Sequence, residues 1–344
     1  MEPAAYACAQ QQLGASTVSE PAMSTSTEYE PGLVSVIVPA YNRATLIGRA
    51  LESVHRQTYR PIELIVVDDG SMDDTAAVAE RFATENAAEN FRVRVIRKAN
   101  GGAPSARNGG VDVSCGEFIA FLDTDDEWLP EKTTKQVNML TGSAGRNIGA
   151  VTCGFRRIKN ESTETTWCPS FRFDSFRTRV FEQRYAGWGP PFVIVRRDVI
   201  MRDNVRFDES LPARQGWDYF AQLSLCTKLG FIAEPLVIVR DHAGERVWQP
   251  KRAVAASNLL HAKYIQILKD NPSAHARFHF KTALEAVEAA DWFEARRQVR
   301  RGLKVQPSSL VAACWTLLLI SSNHACPDVL RKQVIRLLGR LTFS

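Results

Sequence analysis

The chain has 344 residues, 45% hydrophobic and 24% charged, with a formal net charge of +5. Length and composition are those of a globular protein of one large or two ordinary domains. The charge is too small to argue for nucleic acid, and no aromatic-interleaved basic patch or zinc-finger spacing revives that idea. It suits an enzyme that holds pyrophosphate or works beside an anionic membrane. Cys8, Cys115, Cys153, Cys168, Cys226, Cys314 and Cys326 are odd in number and form no C-x-x-C pair. They read as reduced thiols in a cytoplasmic protein, not a disulfide framework or a zinc site.

Residues 1–31 are rich in Ala, Ser, Thr and Gln and read as a disordered leader without a signal peptide. From Leu33 the pattern alternates. Leu33–Val38 is an apolar strand stopped by Pro39, and Ala44–Gln57 has helical spacing. Ile62–Val67 is a second strand. Ser71 with Asp74 predicts a capping-box helix through Phe82. Phe91–Ile96 is a third strand, Pro104–Ser114 a helix and Glu117–Leu122 a fourth strand. Strand–helix alternation with short apolar strands predicts an α/β fold, a mostly parallel sheet covered by helices on both faces. Further strands are expected near Ala150–Phe155, Phe192–Val195 and Leu236–Val239, with a helix over Trp217–Leu229. From Pro250 the chain reads as helical to its end. No run is long enough for a membrane span; the longest candidate is Leu310–Ile320.

Ligands in open parallel sheets bind beyond the carboxyl ends of the strands. There this sequence places Pro39-Ala40-Tyr41-Asn42, then Asp68-Asp69-Gly70-Ser71, then Asn100-Gly101-Gly102 leading to Arg107-Asn108, then Asp123-Thr124-Asp125-Asp126. Any one of these is an ordinary turn, but four converging on one edge point to a site. Crowded carboxylates at Asp123 and Asp125 repel, so a divalent cation, Mg2+ or Mn2+, is the natural neutraliser. Asp68 or Asp69 can accept from a base N–H or a ribose hydroxyl. Tyr41 offers a ring to lie against a base, and Arg107 offers cationic donors to phosphate or base.

The stretches VSVIVPAYNR, ELIVVDDGSMDDT, NGGAPSARNGG and GEFIAFLDTDDEW resemble the family 2 glycosyltransferases, which have the GT-A (Rossmann-like) fold. The resemblance covers Val34–Trp128 closely and the rest less so. It implies a nucleotide-sugar donor, usually uridine-linked, and metal-dependent transfer with inversion. It implies that Pro39, Tyr41, Asp68 and Asp69 line the nucleoside, that Asp123 faces the ribose and nucleotide, and that Asp125 binds the metal. Farther on, the family shows an acidic pair whose Asp is the general base on the acceptor hydroxyl. That position falls here on Gly216 of Gln215-Gly216-Trp217-Asp218. Asp218 is the nearest carboxylate and is taken as the base, although two helical residues amount to a rotation of about 200°; Glu209 is the reserve. Arg240-Asp241-His242 resembles the Arg-x-His that closes the family's catalytic domain, which makes His242 a further metal ligand.

Beyond Pro250, Ala283–Pro307 resembles one tetratricopeptide-type helix pair. In Leu330–Leu341, Val334, Leu337, Leu338 and Leu341 share a helix face with Arg331, Lys332, Arg336 and Arg340 around it. That pattern suits a peripheral membrane helix at the inner face of the cytoplasmic membrane, or an amphipathic helix docked on the protein. The expected organisation is a leader (1–31), a GT-A catalytic domain (32–245) and a helical region (250–344). The expected activity is transfer of a sugar from a nucleoside diphosphate, with UDP foremost, to a glycan or lipid-linked acceptor in cell-surface polysaccharide, lipopolysaccharide or glycolipid synthesis. The rival readings are a nucleotide-sugar-binding module that has lost its base, and a sugar nucleotidyltransferase, which lacks its expected Gly-rich loop after the first strand here.

Overall fold

The computed structural model describes residues 29–142, 147–159, 163–168, 176–182, 189–240 and 249–307. The first half alternates β1 (Glu30–Ala40), α1 (Ile47–His55), β2 (Ile62–Asp68), α2 (Thr75–Asn86), β3 (Phe91–Arg97), α3 (Gly102–Val113) and β4 (Gly116–Phe121). There follow β5 (Asp126–Trp128), α4 (Lys132–Thr141), β6 (Ile148–Lys159), β7 (Thr163–Trp167), α5 (Phe176–Phe181), β8 (Val193–Arg196) and α6 (Arg197–Arg202). The last elements are α7 (Gln215–Cys226), β9 (Lys228–Arg240), α8 (Pro250–Lys263), α9 (Ile265–Lys269), α10 (Pro272–Glu288) and α11 (Trp292–Val305).

Among the described residues the sheet runs β3-β2-β1-β4-β8-β6-β9-β5, with β7 beside β6. Strands β3, β2, β1 and β4 are parallel. Beyond β4 the sheet is mixed: β8 is antiparallel to both β4 and β6, while β6 and β9 run parallel. Alternation along the first strands sorts side chains to two cores. Val34, Val36 and Val38 with Leu64 and Val66 face α1 and α4; Ile37, Ile65 and Val67 face α3, α5, α7 and α8. Both faces are covered, which is why these strands read as continuous apolar runs.

The second core also takes in Leu260, Tyr264, Leu268, Ala274 and Phe278, so the C-terminal helices share packing with α5 and α7. Trp217 meets Tyr264 and Phe278 edge-on, with ring centroids 5.7 and 5.8 Å apart. Helices α10 and α11 pair as an antiparallel hairpin, with Phe280 against Gly302 and Val287 grouped with Ala295. The expected helix pair is therefore present. The amphipathic segment Leu330–Leu341 lies outside the described residues, as does nearly all of the expected leader.

Two local expectations are corrected. The first strand does not stop at Pro39: it pairs with β2 through Pro39↔Val67 and Ala40↔Asp68, while its pairing with β4 ends at Ile37↔Phe121. On the β4 side Pro39 lies past the ladder, where a missing N–H costs no bond. Ser71 does not cap the second helix, which begins at Thr75. Its hydroxyl accepts instead from the Asn42 amide at 2.9 Å, and the Thr75 amide donates to Asp73 at 3.0 Å.

Candidate active site

The loops after β1 and β2 are tied into one unit. The Asn42 side-chain oxygen accepts from the Met72 amide (2.9 Å), the Arg43 amide donates to Thr75 (2.7 Å), and the Ala44 amide donates to Asp73 (3.1 Å). Asn42 sits at φ 51°, a left-handed turn that asparagine tolerates better than most residues. Beside it Tyr41 is 45% exposed, an aromatic face open to solvent at the end of the central strands.

The paired acids at the end of β2 have separate roles. Asp69 is buried and turned onto its own chain: it accepts from the Gly101 and Gly102 amides (3.0 and 2.6 Å) and from Lys98 (2.7 Å). It thereby holds the 99–102 loop and the start of α3, a role that spacing alone did not distinguish from ligand binding. Asp68 accepts from the Ser71 amide through Oδ1 (3.1 Å). Asp68 is as buried as Asp69, and its Oδ2 is a buried acceptor without a hydrogen bond, 3.4 Å from the Arg97 guanidinium. Between them Gly70 has φ 80°, and a Cβ there would stand 3.0 Å from the Asn100 amide nitrogen, so the two loops meet at a residue without a side chain. Asn100 and Gly101 are both exposed along this rim.

On α3, Arg107 points back to the end of β4. It is 8% exposed, lies 5.1 Å over the Phe207 ring, and donates to Asp123 Oδ1 at 2.5 Å. The Asp126 amide donates to the Asp123 carbonyl (3.1 Å), closing a tight turn that brings Asp123, Asp125 and Asp126 together. Burial, and then the charges of Asp123 and Asp125, hold the Asp126 carboxyl well above the ordinary carboxylate range. Arg157 acts in the opposite direction on Asp126, and Asp123 keeps one oxygen free of Arg107. Such carboxylate oxygens are the donor set a hard divalent cation takes. Strand β9 runs antiparallel to β5 through Val239↔Asp126, and Arg240 pairs with Glu127 at 2.5 Å. His242 lies outside the described residues.

The carboxylate expected as the base, Asp218, lies in the core. Asp218 is fully buried, and both its oxygens are engaged. Oδ1 accepts from the Tyr264 hydroxyl (2.7 Å), Oδ2 from the Gln222 side chain (2.7 Å), and Lys263 lies 2.9 Å from Oδ1. The helical rotation from Gly216 turns this carboxylate into the seam with α8, against Lys263 and Tyr264. Glu209, by contrast, is exposed. It accepts from Asn108 (2.9 Å), whose side chain also bonds the Phe207 amide and carbonyl (3.0 and 2.9 Å). Asn108 therefore links α3, one residue beyond Arg107, to the second half of the chain. This bond is between residues a hundred positions apart, which no local pattern announces.

Residues 35–204 match the family model "Glycosyl transferase family 2". That segment, just under half of the chain, is similar to the family. Among curated relatives, the uncharacterized glycosyltransferase EpsJ of Bacillus subtilis is 35% identical over 191 residues, 52% of each protein. The uncharacterized glycosyltransferase YibD of Escherichia coli is 31% identical over 188 residues, 51% of each. The chain thus spans about half the length of these relatives. Among solved structures, Staphylococcus aureus TarS 1–349 in complex with UDP-GlcNAc superposes with a TM-score of 0.54 at 16% identity, covering 80% of this chain and 93% of that one. A mannosyltransferase from Pyrobaculum calidifontis, in complex with GDP-Man and Mn2+, gives 0.53 at 19% identity, covering 90% and 86%. These likenesses establish the GT-A fold, which the strand order and the helical region also describe.

Proposed function

We propose that this protein transfers a sugar from a nucleoside-diphosphate sugar to an acceptor hydroxyl, by single displacement with inversion. The reading is carried by one observation: Asp68, the Arg107–Asp123 pair and the acidic Asp123–Asp126 turn meet at the carboxyl edge of β1, β2 and β4, inside the matched segment. Asp68 Oδ2 accepts from the nucleoside and Tyr41 lies against its base. Pro39, Asn42, Asn100 and Gly101 shape the surrounding wall, and Asp69 acts through the loop it holds. Asp125 with the free oxygen of Asp123 would hold Mn2+ or Mg2+, whose contribution is Lewis-acid stabilisation of the departing diphosphate. Arg107 adds positive charge on the same side. With Asp218 committed to the core, Glu209 is the accessible acid that takes the acceptor proton. UDP is the favoured carrier, in line with TarS, whose structure holds UDP-GlcNAc; a cell-surface glycan or glycolipid is the favoured acceptor. Residues 32–245 form the catalytic unit, and the helices of 250–307 follow it. No helix among the described residues is long and apolar enough to cross a membrane, and peripheral contact through the basic segment near the C-terminus is part of the proposal.

The test is transfer or slow hydrolysis of UDP- and GDP-sugars with Mn2+, followed as nucleoside diphosphate release. Asp125→Asn should keep the thermal unfolding profile and lose activity together with Mn2+-dependent nucleotide binding. Normal turnover in a folded Asp125→Asn protein refutes the metal assignment. Gly216 at the family's base position favours a second reading, a nucleotide-sugar-binding module, which tight donor binding without turnover would support.

A further inference from the structure

Outside the family match, three imidazoles meet between two helices. His261 is near the end of α8, and His275 and His279 are one turn apart on α10. One ring nitrogen of each lies within 4.8 Å of the others, and His261 Nε2 stands 2.9 Å from His275 Nε2. The ring centroids are 4.7 to 5.1 Å apart. His275 is 9% and His279 3% exposed, and His261 is half-buried, leaving one open side.

The orientation of His279 is set by a relay from α11. Gln298 places its amide nitrogen on the Glu294 carboxylate (2.7 Å), which can only accept. Its oxygen therefore faces His279 Nδ1, at 2.7 Å. Nδ1 must carry the proton, so the Nε2 lone pair points away from Gln298. This carboxylate–amide–imidazole chain is the kind of outer support that fixes the tautomer and direction of a metal-binding histidine. Two nearby cations oppose a metal, Arg301 beside His261 and His279 and Lys269 beside His275; both are exposed.

We infer that His261, His275 and His279 bind a zinc ion that clamps α8 to α10, with the fourth position open to water. Tetrahedral ligands about 2.0–2.1 Å from zinc stand roughly 3.3 Å apart, so the His261–His275 pair must open by only a few tenths of an ångström. The clamp would steady α8, which carries Lys263 and is followed at once by Tyr264, the two residues that hold Asp218 of α7. This proposal does not depend on the transferase reading.

The test uses the untagged full chain, stripped with chelator and kept in excess Mg2+ to saturate the carboxylate turn. Titration with Co2+ should give visible d–d bands saturating at one equivalent, without the near-ultraviolet thiolate band that cysteine ligation adds, and zinc should displace them. Zinc at 100-fold over its Kd should raise the Tm by roughly 3–5 °C. His261→Ala, at the half-buried position, should lose the stoichiometric spectrum, and His279→Gln likewise. Gln298→Ala should bind 10–100-fold more weakly. Absence of Co2+ bands at one equivalent, a thiolate band, or a spectrum unchanged in His261→Ala overturns the inference; should His279→Gln fail to fold, His261→Ala still decides.

Discussion

Replacing Lys263 by Met separates a structural Asp218 from a catalytic one. The change removes the ammonium 2.9 Å from a carboxylate that is fully buried. Breaking a buried ion pair by deleting one partner costs about 3–5 kcal/mol, because the other charge is left uncompensated. Two features reduce that figure here. Lys263 is itself 36% exposed, so part of its attraction is screened. Asp218 also retains the Tyr264 hydroxyl and the Gln222 amide, both at 2.7 Å. The second contact of Lys263, to Asp208 at 3.0 Å, is near the surface and adds little. We expect a loss of about 2–3 kcal/mol, a fall in Tm of roughly 3–5 °C for a protein of this size. Asp218→Asn should destabilise less, since the side chain keeps its shape and loses the buried charge. The double variant should cost less than the two changes summed, by about 1–3 kcal/mol. Thermal and urea unfolding of the four proteins measure this cycle. Strict additivity would refute the buried pair. So would an Asp218→Asn protein that unfolds like the wild type while its turnover falls 10²–10⁴-fold, the signature of a general base.

Three further outcomes follow from the site and its support. Asp69→Asn cannot accept from both loop amides and Lys98 at once, so it should cost about 1.5–3 kcal/mol and raise the donor KM more than it lowers kcat; an unchanged KM with a normal Tm contradicts the loop-holding role. Gly110→Ala puts a Cβ 2.4 Å from Ile37 Cγ2 and should destabilise by about 1–3 kcal/mol, whereas Gly109→Ala, with nothing within 4 Å, should be neutral or stabilise by about 0.4–1 kcal/mol; equal Tm values for the two would contradict the packing of α3 on β1. Glu209→Gln should lower kcat by about 10²–10⁴-fold without changing donor affinity, read by steady-state kinetics and by nucleotide binding, and normal turnover would remove Glu209 as the base.

The parallel half was legible because its signals are local. Each apolar run is short, each is followed by a helix-period segment, and the strand-end residues fall at one edge whatever the loops do. What separates Asp68 from Asp69 was not legible, since both follow the same strand. The distinction comes from the Gly101 and Gly102 amides, which reach Asp69 from the next strand–helix connection. Ser71 failed as a cap for a related reason: the loop after β1 offered its hydroxyl a donor, and the helix start moved to Thr75. The mixed half of the sheet was foreseen as strands but not as an order, because antiparallel insertion of β8 between β4 and β6 leaves no mark in hydropathy.

Asp218 shows where spacing arguments end on a helix. Its position two residues from Gly216 permitted either outcome, and the decision came from Lys263 and Tyr264, more than forty residues away. The same region governs the start of α7. Arg214 adopts φ 63°, lies over Trp217 and Phe278, and donates to Ser257, which in turn donates to Glu285 on α10. The family match ends at residue 204, before any of these groups. The donor edge is therefore built inside the matched segment, whereas the helix at the family's base position is held by side chains from α8 and α10. A carboxylate placed at Gly216 would be aimed by those contacts, not by the sheet. Restoring the family's acid through Gly216→Asp therefore tests the helix's placement as much as its chemistry.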